Sequence, residues 1–139
     1  MKKSILYKTT KGLTKMKNID EIQDIIDNST CTSTYHKWSD LTDLLATDGV
    51  YDVAEAAGCF WFLDIIASYQ GHKDLAPEFQ VWKLVVNTED DDSLVHSAVV
   101  YGYNDDDLVV TQDISWTDFP LKEFVVWNEG GILLLPNEH

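Results

Sequence analysis

The sequence contains no arginine, and its ten lysines are unevenly distributed. Six of them lie in residues 1–17, which carry no acid and are called here the basic arm. Residues 18–139, the acidic body, hold only four lysines and all 24 acids. A surface so poor in cations cannot displace the counterions of a nucleic acid, so we expect no direct nucleic-acid binding by the acidic body. Its charge instead favours a basic protein partner, because a field of one sign steers association with the opposite sign.

The chain also has few cysteines and no long apolar run. Cys31 and Cys59 are too few for a disulfide framework. No apolar segment reaches the length of a membrane span, and the first residues lack the apolar stretch of a secretory signal. Hydrophobic residues at 45% are typical of a packed domain. We therefore expect a cytoplasmic protein without membrane contact, a monomer or dimer, with residues 1–17 as a flexible arm and 18–139 as one domain.

The first half of the acidic body has the periodicity of helices. In NIDEIQDIIDNST, four isoleucines fall on one face of a short amphipathic helix. Ser39 is placed to cap a second helix, in which Leu41, Leu44 and Leu45 recur at helical spacing. A third helix, VYDVAEAA, is closed by Gly58 in the manner of a helix C-terminus.

Residues 59–70, CFWFLDIIASYQ, form the most apolar segment of the chain. A helix that is apolar nearly all the way round is buried on every side, so this segment is predicted to be the central helix. Asp64 interrupts it, and there a charge is costly unless it is paired. One interpretation is an acid of raised pKa in a pocket. The other is a hydrogen bond to a neighbouring turn or to a tyrosine or tryptophan, which Ser68 on the same face favours.

From Phe79 onward the hydrophobic period changes to two, which is typical of strands. Short acidic or glycine turns separate the segments, and short connections indicate antiparallel neighbours. The predicted fold class is therefore α+β, with N-terminal helices and one buried central helix packed on an antiparallel meander sheet of about five strands. The predicted strands are Phe79–Asn87, Leu94–Tyr103, Leu108–Ile114, Leu121–Trp127 and Ile132–Leu135.

Two clusters of acids in the predicted turns are the candidate interaction residues. Successive turns of an up-and-down sheet lie at alternate ends, so the two clusters are expected at opposite edges. Neither turn has the glycine and distal glutamate of an EF-hand loop, and no cofactor-binding motif occurs, so neither metal nor cofactor is expected. The clusters are Glu89, Asp90, Asp91 and Asp92 in one turn and Asp105, Asp106 and Asp107 in the other.

Cys59, His96 and Asp113 follow the order of the papain-like cysteine peptidases: a cysteine at the start of a helix, a histidine on a strand and an acid on the next strand. A helix N-terminus lowers the pKa of a thiol, an imidazole completes its activation and a carboxylate orients the imidazole. The segment EAAG before Cys59 lacks the oxyanion glutamine of such enzymes. The other interpretation is a small buried cysteine on a core helix. A cysteine hydrolase is thus the alternative function.

The segments GVYDVAEAAGCFWFLDIIASYQ, FQVWKL, TDFPL and ILLLPNEH together resemble an uncharacterised family of small single-domain proteins. The resemblance runs from about Tyr35 to the end of the sequence and leaves out the basic arm. It implies proteins of bacteria, phages and other mobile elements, and it implies no activity, cofactor or catalytic residue; no family histidine corresponds to His96. We expect a non-enzymatic acidic binding protein, which in a mobile element would inhibit a basic or nucleic-acid-binding host protein.

Overall fold

The computed structural model of the protein describes residues 19–29, 34–87 and 96–139. The basic arm, Cys31 and the acids at 89–92 lie outside these ranges. The described residues contain three α-helices and seven strands. The helices are α1 (residues 19–28), α2 (Asp48–Ala57) and α3 (Phe60–Ser68), and Pro136–Glu138 form a short 3-10 helix. The strands are β1 (Tyr35–His36), β2 (Leu45–Thr47), β3 (Phe79–Val86), β4 (His96–Asn104), β5 (Asp107–Thr117), β6 (Glu123–Glu129) and β7 (Ile132–Leu134).

The strands form one mixed sheet in the order β1-β2-β7-β6-β3-β4-β5. Only β2 and β7 pair in parallel among the described strands, and every other pair is antiparallel. The predicted α+β class is confirmed, and the five predicted strands correspond to β3–β7. Their predicted meander order is wrong, because β6 returns to pair with β3 instead of β5. The order β6-β3-β4-β5 is a Greek key.

The connection between β5 and β6 explains why the meander fails. It must cross the ends of β4 and β3, a distance of about 14 Å at normal strand spacing. Phe119 anchors this crossing, since its side chain is buried and stacks on Phe124 of β6 with ring centroids 5.6 Å apart. Burial of an aromatic ring in the connection therefore carries the chain past two strands to the far side of β3.

The helix predicted after Ser39 does not form. The Ser39 hydroxyl accepts a hydrogen bond from the Leu41 amide at 3.1 Å, but only a turn follows, and Leu41 is 96% exposed. The next residues enter β2, in which Ala46 pairs with Leu133 of β7. Pairing with a strand distant in sequence has overridden the local helical spacing.

Helix α2 ends at Gly58 as the sequence predicts, and Thr47, which precedes the predicted segment, caps its start. The Thr47 hydroxyl accepts a hydrogen bond from the Val50 amide at its start, and Gly58 ends it with a left-handed φ of 66°. In α3, Phe62 is buried, but Asp64 and Ser68 are exposed. The prediction that this helix is buried on every side is therefore wrong, because its polar seam faces solvent. None of the helices in the described part of the chain is long and apolar enough to cross a membrane.

The helices supply the core on one face of the sheet, called here the inner face. In β3, Trp82 and Leu84 point to this face and are fully buried. Phe62 of α3 packs on Phe124 of β6 with ring centroids 5.8 Å apart. The alternate residues of the strands point to the opposite, outer face, where they are partly exposed. The two faces therefore have different environments, and the outer one holds the candidate site.

Candidate functional site

The outer face of the central strands is apolar and aromatic. Val81 of β3 lies between Trp127 of β6 and Tyr103 of β4, and Lys83 lies between Val125 and a second tyrosine. The solvent face of an antiparallel sheet usually carries polar residues. A contiguous apolar patch on a surface marks a site of interaction.

A groove of about 500 Å³ runs along this face and is called here the outer groove. Its volume lies within the range of known ligand sites, about 300–1,000 Å³. Strands β3 and β6 form its floor, and the turn between β4 and β5 closes one end. Its lining residues are Phe79, Val81, Lys83, Tyr103, Asp105, Asp106, Val125, Trp127 and Pro136.

Trp127 is the most constrained aromatic side chain of the outer groove. The Phe79 ring meets its indole edge-on, with centroids 5.3 Å apart and an interplanar angle of 80°. The His139 ring also meets it edge-on, with centroids 5.0 Å apart and an interplanar angle of 69°. Edge-to-face contacts of this kind hold a ring in one orientation. The indole is therefore a preformed apolar contact surface, which suits a binding anchor.

The charges of the outer groove are separated along its length. The Lys83 ammonium lies over the Tyr103 ring, 5.4 Å from its centroid, and within the described residues it belongs to no ion pair. Asp105 and Asp106 are exposed at the turn, where Asp105 has a left-handed φ of 54°. Asn104 fixes this turn, since its side chain accepts from the Ala76 amide at 2.8 Å. One end of the groove is thus acidic and held in place.

The segment after β7 forms one side of the outer groove, and Glu138 anchors it. The Glu138 carboxylate accepts hydrogen bonds from the Thr47 hydroxyl at 2.6 Å, the Leu135 amide at 2.9 Å and the Gly49 amide at 3.3 Å. Gly49 lies in the first turn of α2, where unpaired amides favour an anion. These hydrogen bonds hold the segment after β7 in position, so Pro136 lines the groove together with Trp127 of β6.

The structure does not assemble the predicted catalytic triad. Cys59 is 1% exposed in the core beneath the inner face, and burial, with a smaller effect of Asp118, raises the pKa of its thiol to about 12. Asp113 pairs with Val99 and is exposed on the outer face, on the other side of the sheet. Among the described residues no hydrogen bond joins Cys59 to His96. A thiol of this pKa lacks the activation that a nucleophile needs.

Asp64 has the second of its two predicted roles. Its carboxylate accepts a hydrogen bond from the Trp38 indole N–H at 2.9 Å, on the exposed seam of α3. Ser68 donates to the Ile65 carbonyl at 2.7 Å. Asp64 therefore connects α3 to the segment after β1.

Of the two predicted acidic clusters, only Asp105–Asp107 falls within the described residues. All three side chains are exposed, and the first two line the end of the outer groove. Glu89–Asp92 lie outside the described ranges. Across residues 19–29, 34–87 and 96–139, no three histidine, cysteine, aspartate or glutamate side chains come together as a metal site.

The outer groove was not predicted from the sequence, although β3 carries a signal for it. In β3, FQVWKLVV, both alternating sets of residues are largely apolar, whereas a half-exposed strand alternates apolar and polar residues. Such a run is typical of strands covered on both faces. The odd-numbered residues of β3 therefore indicate a largely apolar outer face.

Comparison with known proteins gives a family and no activity. A family model described as a family of unknown function (DUF6876) matches residues 20–139. No curated protein and no solved structure matches the chain significantly. The function must therefore be argued from the residues of the site.

Proposed function

The chain belongs to the family of unknown function DUF6876, and from its geometry we propose that it is a non-enzymatic binding protein. Its outer groove would take a lysine-rich or arginine-rich polypeptide segment of a protein partner. The observation that carries this proposal is the apolar outer face of β3 and β6, which has carboxylates at one end. We do not propose a catalytic activity, because the buried Cys59 thiol and Asp113 lie on opposite faces of the sheet.

Apolar contact supplies the first part of the recognition. Phe79 and Trp127 present aromatic surface to the groove, and Val81 and Val125 are apolar residues of its floor. Covering such side chains releases about 25 cal/mol for each Å² removed from water. Aromatic anchors in a preformed groove account for most of the binding energy of many interfaces. A partner segment therefore needs apolar side chains at alternate positions along the groove.

Charge supplies the second part. Asp105 and Asp106 lie at the groove end, and Glu129 pairs across from Phe79 at the same end of the sheet. The partner's cations would meet these carboxylates, while the net charge of −14 steers the partner toward the protein. The Lys83 ammonium already occupies the Tyr103 ring, so the partner's cations would be directed to the acidic end of the groove.

The charge of the body also narrows the class of partner. Proteins that bind nucleic acids carry dense basic surfaces, and an acidic protein that occupies such a surface blocks it. In a mobile element, the protein would inhibit a basic host protein by occupying its basic surface. This proposed role depends on the chemistry of the groove and on the setting that the sequence resemblance implies.

A labelled peptide of alternating lysine and leucine tests the groove directly. Its binding to the full chain is followed by fluorescence anisotropy. Trp127→Ala should weaken binding by at least about tenfold, equivalent to about 1.4 kcal/mol, because the central anchor is lost. Leu41→Ala is the control, since Leu41 is apolar, 96% exposed and outside the groove. Equal losses in the two variants would contradict the proposed site.

The charge requirement has its own pair of variants. Asp105→Asn combined with Asp106→Asn should slow association and reduce its dependence on salt. Asp20→Asn combined with Asp24→Asn, on the exposed side of α1, removes the same charge away from the groove and serves as the control. A peptide with glutamate in place of lysine should not bind. Binding of that peptide with equal affinity would overturn the proposed basic partner.

A further inference from the structure

Strand β5 is a long edge strand with two exposed apolar side chains. It spans Asp107–Thr117 and ends the sheet order, and no described strand pairs with its other side. Leu108 near one end is 53% exposed and Trp116 near the other is 67% exposed. Natural proteins protect long edges because unpaired amides and carbonyls recruit another strand. This edge therefore presents both backbone groups and apolar side chains.

The backbone of β5 directs Thr111 and Asp113 to the open edge. The Ser97 carbonyl accepts from the Asn87 amide and so points to the β3 side of β4. Directions alternate along a strand, so Val100 of β4 points to β5 and shares its hydrogen bonds with its partner Gln112. The residues on either side of Gln112 consequently have their N–H and C=O groups free of β4.

We propose that a second copy of this chain pairs with β5 through these groups, in an antiparallel β5–β5 contact centred on Gln112. In this register Thr111 of each copy lies opposite Asp113 of the other, so the outward amides and carbonyls of both satisfy one another. Leu108 of each copy then lies opposite Trp116 of the other. The two exposed apolar side chains of the strand therefore bury each other.

The irregularities of β5 fit the same two-fold axis. One register shift lies between Leu108 and Val110, and the other lies between Ile114 and Thr117. They flank Gln112 on its two sides, so the bends that they introduce meet equivalent bends in the second copy. Isologous contacts require self-complementarity of this kind.

Electrostatics sets the salt dependence of this contact. Asp113 faces a threonine instead of its own copy, so no like charges lie directly opposite. Two acidic bodies nevertheless repel one another, and salt screens that repulsion. Salt should therefore strengthen self-association, whereas it weakens binding of a basic partner. The inference does not depend on the proposed function, and the opposite salt effects separate the two.

Sedimentation velocity of the full chain over a concentration series tests the contact. We expect a dimer whose fraction rises with protein and salt concentration. Asp113→Pro removes an outward N–H without touching the bonds to β4, and proline is tolerated at an edge, so dimerisation should weaken by at least about tenfold. Asp113→Asn keeps the amide and loses a charge, so it should dimerise at least as well as the wild type. A monomer at every concentration and salt, or equal dimerisation of both variants, would overturn the proposal.

Cross-linking tests the register and keeps the proposal testable if the proline variant unfolds. In a Cys31→Ser background, Gln112→Cys places two thiols at the two-fold axis, where Cα atoms of a non-hydrogen-bonded pair are about 4.5 Å apart and can form a disulfide. Leu108→Cys is the control, because Leu108 faces Trp116 of the second copy. Efficient cross-linking of the residue 112 variant alone supports the register. Equal cross-linking of both variants, or of neither, rejects it.

Discussion

Trp82 and Gly102 are direct neighbours across β3 and β4, and the indole of Trp82 occupies the space of a side chain at residue 102. A Cβ built there would lie 2.6 Å from Cζ3 of Trp82. The indole is fully buried and donates its N–H to the Gln80 side chain at 2.9 Å. This bond fixes the position of the indole, so residue 102 must be a glycine to avoid a clash with it.

Gly102→Ala should therefore destabilise the fold. The methyl group forces the Trp82 indole to move or to break its bond to Gln80, and overpacking of this kind costs about 1–3 kcal/mol. The free energy of unfolding in urea measures the effect. Ser115→Ala, on the exposed part of neighbouring β5, should change it by less than about 0.5 kcal/mol. An unchanged stability of the Gly102 variant would show that the indole has room to shift.

Glu138→Ala should also destabilise the protein, by about 1–2 kcal/mol, because the Gly49 amide and the Thr47 hydroxyl lose their acceptor at the start of α2. Glu138→Gln keeps an oxygen acceptor and should cost less. Urea unfolding of both variants is compared with that of Glu123→Ala, an exposed glutamate of β6. A Glu138→Ala variant as stable as the Glu123 control would mean that the anchor contributes nothing.

Cys59 should be unreactive in the native protein. Burial raises the pKa of its thiol to about 12, so almost no thiolate exists near neutral pH. In a Cys31→Ser background, iodoacetamide should label the native chain much more slowly than the denatured chain. Rapid native labelling at neutral pH would revive the cysteine hydrolase interpretation.

The same pKa shift predicts a dependence of stability on pH. The unfolded thiol titrates near pH 9.0 and the folded one near 12. The stabilisation from keeping the thiol neutral is thus fully present below pH 9 and is lost as the pH rises toward 12. The difference in unfolding free energy between the wild type and Cys59→Ala should shrink over that interval. Because the two proteins differ only at this residue, the difference reports the thiol alone. A constant difference would contradict the shift.

The two acidic clusters should have separable effects on a basic partner. Asp105–Asp107 adjoin the outer groove, whereas Glu89–Asp92 stand in the sequence between β3 and β4. Neutralising Asp105–Asp107 should slow association more than neutralising Glu89–Asp92, and the difference should fade as salt rises. Association rates over a salt series measure both. Equal effects would indicate general steering by the net charge instead of a site.

The sequence predicts the strands of this fold better than their order. The run FQVWKLVV places β3 within one residue of its observed bounds, because β-branched and aromatic residues are typical of strands. The Greek key depends on where Phe119 finds its partner Phe124, and no local pattern encodes that contact. β2 was missed because three residues are too short for a period to show.

The candidate site was predictable only in part. Asp105–Asp107 were identified because consecutive carboxylates between two predicted strands can be recognised from the sequence alone. Phe79 and Trp127 were not identified as site residues, since an aromatic residue on a strand has the same appearance whether it faces the core or an open groove. The separation of Cys59 from Asp113 depends on strand register, which a shift of one residue would reverse.

The parallel pairing of β2 with β7 has a consequence for the order in which the protein folds. Ala46 pairs with Leu133, so two residues separated by most of the chain must meet before β1 and β2 can join the sheet. During synthesis, β2 leaves the ribosome long before its partner exists, whereas the hairpins around β4 can close as soon as they emerge. We therefore expect the sheet to be assembled from its β3–β5 side, with the strands made first as the last to be incorporated.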